Sequence, residues 1–228
     1  MALLCLLPCF IPIIILLRFT GEGEVFYRQT RMGIQQNTFG ILKFATMLKD
    51  SLNIGSKTVT TRNDPRITPM GKWLRMTKIN ELPQLWNVFV GDMSFVGPRP
   101  LLVKSFLKYA EDVQAIITQN KPGITGLGSI VFRDEEKLTS HVKKLGGEPL
   151  GYYRFYIYPY KGELEVYYHK HKGLWTDLKI LLLTAWKIVF KHSQIEYLFF
   201  SDLPKKPISL TLQGIEQLDM TKVKEIDV

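Results

Sequence analysis

The chain opens on an unbroken apolar run, Ala2 to Leu17, with no charged residue, and Arg18 follows at once. The run predicts a helix bent at Pro8 and Pro12, because an interior proline removes a backbone hydrogen bond and crowds the preceding turn. It is shorter than the roughly 20 apolar residues of a spanning helix. It has neither the basic start nor the small-residue cleavage site of a signal peptide. The segment therefore reads as a helix that enters a membrane without crossing it, and the alternative is a buried core helix. Cys5 and Cys9 lie inside it and read as small apolar fillers, since a disulfide or metal pair has no further support in the chain.

Beyond Gly21 the pattern shortens. Glu24–Tyr27 and Thr38–Phe44 predict strands around a turn at Met32-Gly33. Leu48 to Pro65 is polar and turn-rich and predicts a loop. Met70–Met76 and Leu82–Val90 predict helices, with Pro83 near the start of the second. Pro98 and Pro100 interrupt the chain, Leu101–Gln119 predicts one helix, and Lys121-Pro122-Gly123 a turn. Asp134–Leu150 predicts a charged loop with a short helix.

Gly173–Lys191 has the clearest helical periodicity. Thr176, Asp177, Thr184, Lys187 and Lys191 form one stripe, and Leu174, Leu178, Leu181, Leu182, Ala185, Trp186 and Val189 fill the opposite face. With Trp175, Trp186 and flanking lysines, the helix suits an interface plane. Ordinary core packing is the alternative. After Ser201 the sequence is polar and predicts a peripheral tail. The whole predicts an α/β fold: a compact domain with a small β element and amphipathic helices.

At 228 residues the chain is long enough for one domain with a real core. Its net charge of +9 implies anionic partners such as lipid head groups or nucleotides. No nucleic-acid-binding module is recognisable, so nucleic acid is not an expected partner.

Thr77–Pro100 concentrates the candidate chemistry. Glu81 lies close in sequence to Arg99, which is set between Pro98 and Pro100 in a stiff backbone. A carboxylate near a guanidinium suits phosphate chemistry, because one can bind metal or attack while the other pairs with phosphate oxygens. Lys43, Arg28 and Arg31 are further phosphate candidates. Lys121-Pro122-Gly123-Ile124-Thr125-Gly126 offers backbone N–H groups to an anion, without the Gly-Lys-Ser/Thr ending of a Walker loop. His169 and His171 lack nearby partners for a metal site.

Taken in order, these segments resemble the bacterial sugar transferase family, the small monotopic polyprenyl-phosphate phosphoglycosyl transferases. The resemblance runs from about Pro8 to about Lys191. It rests on Gln29-x-Arg31-x-Gly33, Lys43-Phe44-x-Thr46-Met47, Asp64-Pro65-Arg66-Ile67-Thr68-Pro69-Met70-Gly71, Glu81-Leu82-Pro83-Gln84-Leu85, Gly91-Asp92-Met93-Ser94, Gly97-Pro98-Arg99-Pro100 and Pro122-Gly123-Ile124-Thr125-Gly126. Tyr167-Tyr168 and Asp177-Leu178-Lys179 extend it.

The resemblance implies a re-entrant membrane helix over 1–20, a catalytic domain over 21–200 and a polar tail over 201–228. It implies placement in one leaflet of the bacterial inner membrane, with the active site on the cytoplasmic face. The implied reaction moves a sugar 1-phosphate from a UDP-sugar to undecaprenyl phosphate with Mg²⁺, releases UMP and starts a surface polysaccharide. Membrane lipid and other glycan assembly enzymes are the implied partners. The implied roles are catalytic for Asn80, Glu81 and Arg99, phosphate- or nucleotide-binding for Lys43, Arg31, Arg66 and Arg133, and metal-binding for Glu81 and Asp177. The chain departs from the family pattern where an Asp-Glu dyad is Asn80-Glu81 and a basic residue is Ala45. It also starts almost at the apolar run, which reads as a fragment or a misassigned start. An altered, non-catalytic scaffold is the alternative function.

Overall fold

The computed structural model describes residues 2–20, 22–51, 64–190, 193–221 and 223, without the side chains of residues 2–7 and 9. Most of the expected Leu48–Pro65 loop, the cysteine side chains and Lys191 lie outside the described residues.

The chain begins with helix α1 (Ala2–Phe19), which runs through both prolines. Phe10, Ile13 and Leu17 recur at helical spacing and are buried, while Ile11, Ile15, Leu16 and Phe19 are exposed. The buried stripe packs on Phe44 and Leu74. Among the described residues no helix is long and apolar enough to cross a membrane.

Strands β1 (Phe26–Met32) and β2 (Thr38–Phe44) form an antiparallel hairpin in which Tyr27 faces Lys43 and Arg31 faces Phe39. The second strand matches its expected span. The first starts two residues later than Glu24 and continues to Met32, because the turn lies over Gly33–Asn37, closed by Gly33 N–H donating to Asn37 O at 2.7 Å. Cross-strand partners share a face and side chains alternate. Tyr27, Gln29, Arg31 and Lys43 therefore lie on one face, and Phe26 and Phe44 stack on the other.

Helix α2 (Pro69–Met76) starts as expected. Thr68 Oγ1 accepts from Gly71 N–H at 3.0 Å and proline occupies the first turn. A 3₁₀ turn (Ile79–Glu81) follows, then helix α3 (Gln84–Phe89). Asn87 on α3 continues the β2 ladder with its side chain: Leu42 N–H donates to its Oδ1 and its Nδ2 donates to Gly40 O, both at 2.9 Å.

Strands β3 (Ser94–Val96) and β4 (Gly123–Thr125) pair in parallel. The expected turn at Pro122-Gly123 and its anion-binding N–H groups are replaced by this pairing. Gly123 N–H donates to Pro98 O at 2.9 Å and Gly97 N–H to Thr125 O at 3.0 Å. The approach needs glycine, since a Cβ at Gly97 would lie 2.3 Å from Lys121 O.

Between these strands, the single helix expected over Leu101–Gln119 is two helices, α4 (Val103–Phe106) and α5 (Glu111–Thr118). The chain breaks so that Tyr109 can bury its ring against Tyr158, with centroids 5.0 Å apart, while Gln114 Nε2 donates to Tyr109 O. Helices α6 (Leu127–Val131), α7 (Glu135–Lys144) and α8 (Pro149–Tyr152) follow. A π turn (Tyr153–Ile157) leads from α8 into α9 (Tyr158–His171).

Helix α10 (Leu174–Val189) is amphipathic as expected, and its faces are reversed relative to core packing. Thr184 exchanges a 2.7 Å hydrogen bond with Thr125, and Lys187 is buried against Glu196, while Leu174, Trp175, Leu178, Leu181, Leu182, Trp186 and Val189 are exposed. Ile180 and Leu183 supply its apolar contact with the body.

The largest core surrounds α9, where Tyr160, Leu164, Tyr167 and Tyr168 meet Leu127, Ile130, Leu138 and Val142. The segment after Ser201 is not peripheral, because Leu203, Leu210, Ile215 and Val223 are buried in the same core.

Candidate active site

The hairpin, the 3₁₀ turn and the β3/β4 loop converge on one charged cluster. Strand alternation puts Lys43 on the face that carries Arg31, and the Asn87 clamp ties that strand to the element after Glu81. Lys43 Nζ donates to Glu81 Oε1 at 3.1 Å, with the two side chains only 18% and 16% exposed. Burial lowers the Lys43 ammonium to about 8; Glu81 opposes the shift, while Arg99 and Arg31 reinforce it. Burial alone would raise the Glu81 carboxyl, but Lys43, Arg99 and Lys78 hold it well below the usual carboxylate range. Glu81 is therefore an anion at physiological pH.

Arg31 is lowered to about 10 by burial and by the nearby Arg99 charge. Its Nη1 donates to Pro100 O at 3.2 Å, its Nη2 to Gln29 Oε1, and its buried Nε has no partner. Arg99 is itself exposed between buried Pro98 and Pro100. Its backbone N–H lies within electrostatic range of Glu165, a buried carboxylate on α9. Behind Arg99 a cavity of about 20 Å³, enough for one water, is lined by Tyr109, Lys161 and Glu165. Burial pushes Glu165 up to about 7, and its Oε2 has no hydrogen-bond partner.

Asn80 is buried in the turn beside Glu81, and its Oδ1 also lacks a partner. A buried acceptor without a donor is costly, so this oxygen is available to a ligand. Among the described residues no group of three or more His, Cys, Asp or Glu side chains could hold a metal ion. Even so, the Asn80 oxygen and the Glu81 carboxylate suit Mg²⁺ as it sits beside phosphates, with few protein oxygens and the rest from substrate and water.

The other sequence candidates are placed differently. Arg66 is buried in a bidentate pair with Asp64, at 2.8 Å from Nε to Oδ1 and 2.6 Å from Nη2 to Oδ2, and Nη1 donates to Ser51 O. That arrangement holds the loop and occupies the fork expected for phosphate. Asp177, the other expected metal ligand, accepts the Tyr168 hydroxyl at 3.0 Å, and burial raises its carboxyl. Arg133 is half-buried and within electrostatic range of Lys78. His169 meets Asn120 at 3.0 Å, and His171 lies 3.4 Å from Asp202.

A sequence profile described as bacterial sugar transferase matches residues 1–191. The chain belongs to the bacterial sugar transferase family. Within it, the chain is 33% identical over 188 residues to the UDP-glucose:undecaprenyl-phosphate glucose-1-phosphate transferase of Escherichia coli K12, covering 81% of this chain and 37% of that protein. It is 32% identical over 184 residues to the undecaprenyl-phosphate galactose phosphotransferase of Salmonella typhimurium, covering 75% and 34%. It is 35% identical over 155 residues to the exopolysaccharide production protein ExoY of Rhizobium meliloti, covering 62% and 68%. The chain thus spans roughly a third of the length of the first two relatives.

Two groups at this cluster were not among the sequence candidates. Lys78 sits inside the stretch that supplied Glu81, but a lone lysine carries no signal. Glu165 lies on α9 one turn after Lys161, which lines the same cavity, and a lysine and a glutamate four residues apart on a helix read as an ordinary surface pair.

Proposed function

We propose that this chain transfers a sugar 1-phosphate from a UDP-sugar to undecaprenyl phosphate, releasing UMP, as the first step of a surface polysaccharide. The observation that carries the reading is the Lys43–Glu81 pair, set beside the unpartnered Asn80 oxygen with Arg31 and Arg99 in range. The relatives' names supply the substrates, a UDP-sugar and an undecaprenyl-phosphate carrier. The cations neutralise the donor diphosphate, and Lys43 fixes one oxygen of Glu81. In the transfer the bond from the β-phosphorus to the bridging oxygen breaks and UMP leaves with that oxygen. A bond from the same phosphorus to an oxygen of the lipid phosphate forms. Glu81, already ionised, either attacks the phosphorus first and is displaced by the lipid, or serves as a metal ligand beside Lys43 while the lipid attacks directly. Glu81 and Asn80 would hold Mg²⁺, which would supply charge neutralisation on the diphosphate.

The exposed apolar face of α10, with two tryptophans, and the exposed side of α1 support residence in a membrane interface. The reading takes this membrane to be the bacterial inner membrane and the open side of the site to be cytoplasmic.

One observation favours a second reading. An amide at position 80 is not a nucleophile, which suits a scaffold that binds donor without turning it over. UMP release by the detergent-solubilised protein, with undecaprenyl phosphate, Mg²⁺ and a panel of UDP-sugars, separates the two. Release by the native chain is expected. Silence in the native chain together with release by Asn80→Asp would establish the scaffold instead.

A further inference from the structure

Lys78 opens the 3₁₀ turn that carries Asn80 and Glu81, with φ of 62° and ψ of 7°. This is the left-handed region, where a Cβ is penalised and glycine is the inexpensive residue. Among the described residues the only other non-glycine positions with positive φ are Gln35 and Gln36, in the hairpin loop. The backbone here would be served better by glycine, so the lysine side chain supplies something that glycine cannot. Its ammonium makes no ion pair or side-chain hydrogen bond among the described residues, whereas Lys43 is committed to Glu81. Lys78 is exposed, with the carboxylates of Glu81 and Glu136 and the guanidiniums of Arg99 and Arg133 within electrostatic range. An exposed cation on the turn that carries Glu81, with two guanidiniums in range and no hydrogen-bonded side-chain acceptor, is open to an anion that arrives from outside.

We infer that Lys78 binds a substrate phosphate, its strained backbone carrying the ammonium to the edge of the cluster formed by Glu81, Arg99 and Arg133. The inference rests on the phosphoryl-transfer reading and adds a residue to it. The shared chemistry is a phosphate ester, either the donor diphosphate or the lipid phosphate.

The backbone makes the test clean. Lys78→Gly removes the charge and relieves the left-handed strain, so a purely structural role predicts a variant at least as stable and fully active. The measurements are thermal unfolding, UDP affinity by calorimetry, and KM for donor and for a short-chain polyprenyl phosphate, on the full chain and on Lys78→Gly and Lys78→Arg. The expected result is unchanged or higher thermal stability for Lys78→Gly, with a loss of about ten-fold or more in phosphate binding, as for a charge-assisted contact, and recovery in Lys78→Arg. Loss of UDP affinity assigns Lys78 to the donor. A raised KM for the polyprenyl phosphate alone assigns it to the acceptor. Wild-type affinity and KM values in Lys78→Gly overturn the inference and leave the transfer reading intact. A native chain that binds neither UDP nor the lipid phosphate overturns both.

Discussion

At the scale of single residues, the site is governed by what burial does to charge. Glu81 and Lys43 hold each other in place at 3.1 Å. Glu165 has no such partner on Oε2 and is pushed up to about 7 by burial. A carboxyl that binds its proton more tightly folded than unfolded destabilises the native state as pH rises from its ordinary 4.5 through 7. The shift corresponds to a loss of about 3 kcal/mol once the group is fully ionised. Glu165→Gln keeps the shape of the side chain and a carbonyl oxygen and removes the ionisation. Thermal unfolding should show it gaining stability over wild type near pH 8 and little near pH 5. An equal effect at both pH values would mean that the carboxyl is not buried as described.

Much at this scale was hidden from sequence. Glu81 and Arg99 could be singled out because they sit in one dense stretch, and Lys43 because its motif resembles a family pattern. Their convergence could not be read, since it depends on Asn87 clipping α3 to β2 across a long sequence separation. Arg66 looked like a phosphate ligand because sequence gives charge and not partners. Asp64 two residues earlier takes its fork.

At the scale of elements, α10 shows what periodicity can and cannot decide. Its two faces were legible, but a helical wheel does not say which one meets the protein. Three polar links decide it: Asp177 to Tyr168, Thr184 to Thr125, and Lys187 to Glu196. They hold the polar stripe inward, leaving Trp175 77% and Leu182 62% exposed. If that face enters a lipid interface, Leu182→Glu removes about 2 kcal/mol of apolar transfer, roughly thirty-fold in partitioning. Co-sedimentation with anionic vesicles should show that loss, and wild-type binding by the variant would exclude α10 from the contact. The break between α4 and α5 is a different kind of miss. The sequence there is helix-compatible throughout, and the interruption comes from burying Tyr109 against α9.

At the scale of the whole molecule, the chain after Ser201 closes the main core although its composition is polar. A few apolar residues at scattered spacing are enough when each one lands in a prepared pocket. Leu210 is fully buried there, and the Tyr152 hydroxyl donates to Ser209 O at 2.7 Å. Leu210→Ala should cost about 2–5 kcal/mol and lower the melting temperature by roughly 5–15 °C for a domain of this size. A change within error would mean that the segment is dispensable packing.

The central claim is that this site moves a sugar together with its phosphate. The most direct measurement uses UDP-sugars labelled at the β-phosphorus, with undecaprenyl phosphate, Mg²⁺ and the purified chain, beside Glu81→Gln. The account predicts label in the lipid fraction, unlabelled UMP in the aqueous fraction, and a loss of at least about a hundred-fold in Glu81→Gln, in line with removal of a group that stabilises the transition state. Label remaining in UDP, or equal transfer by Glu81→Gln, would contradict it.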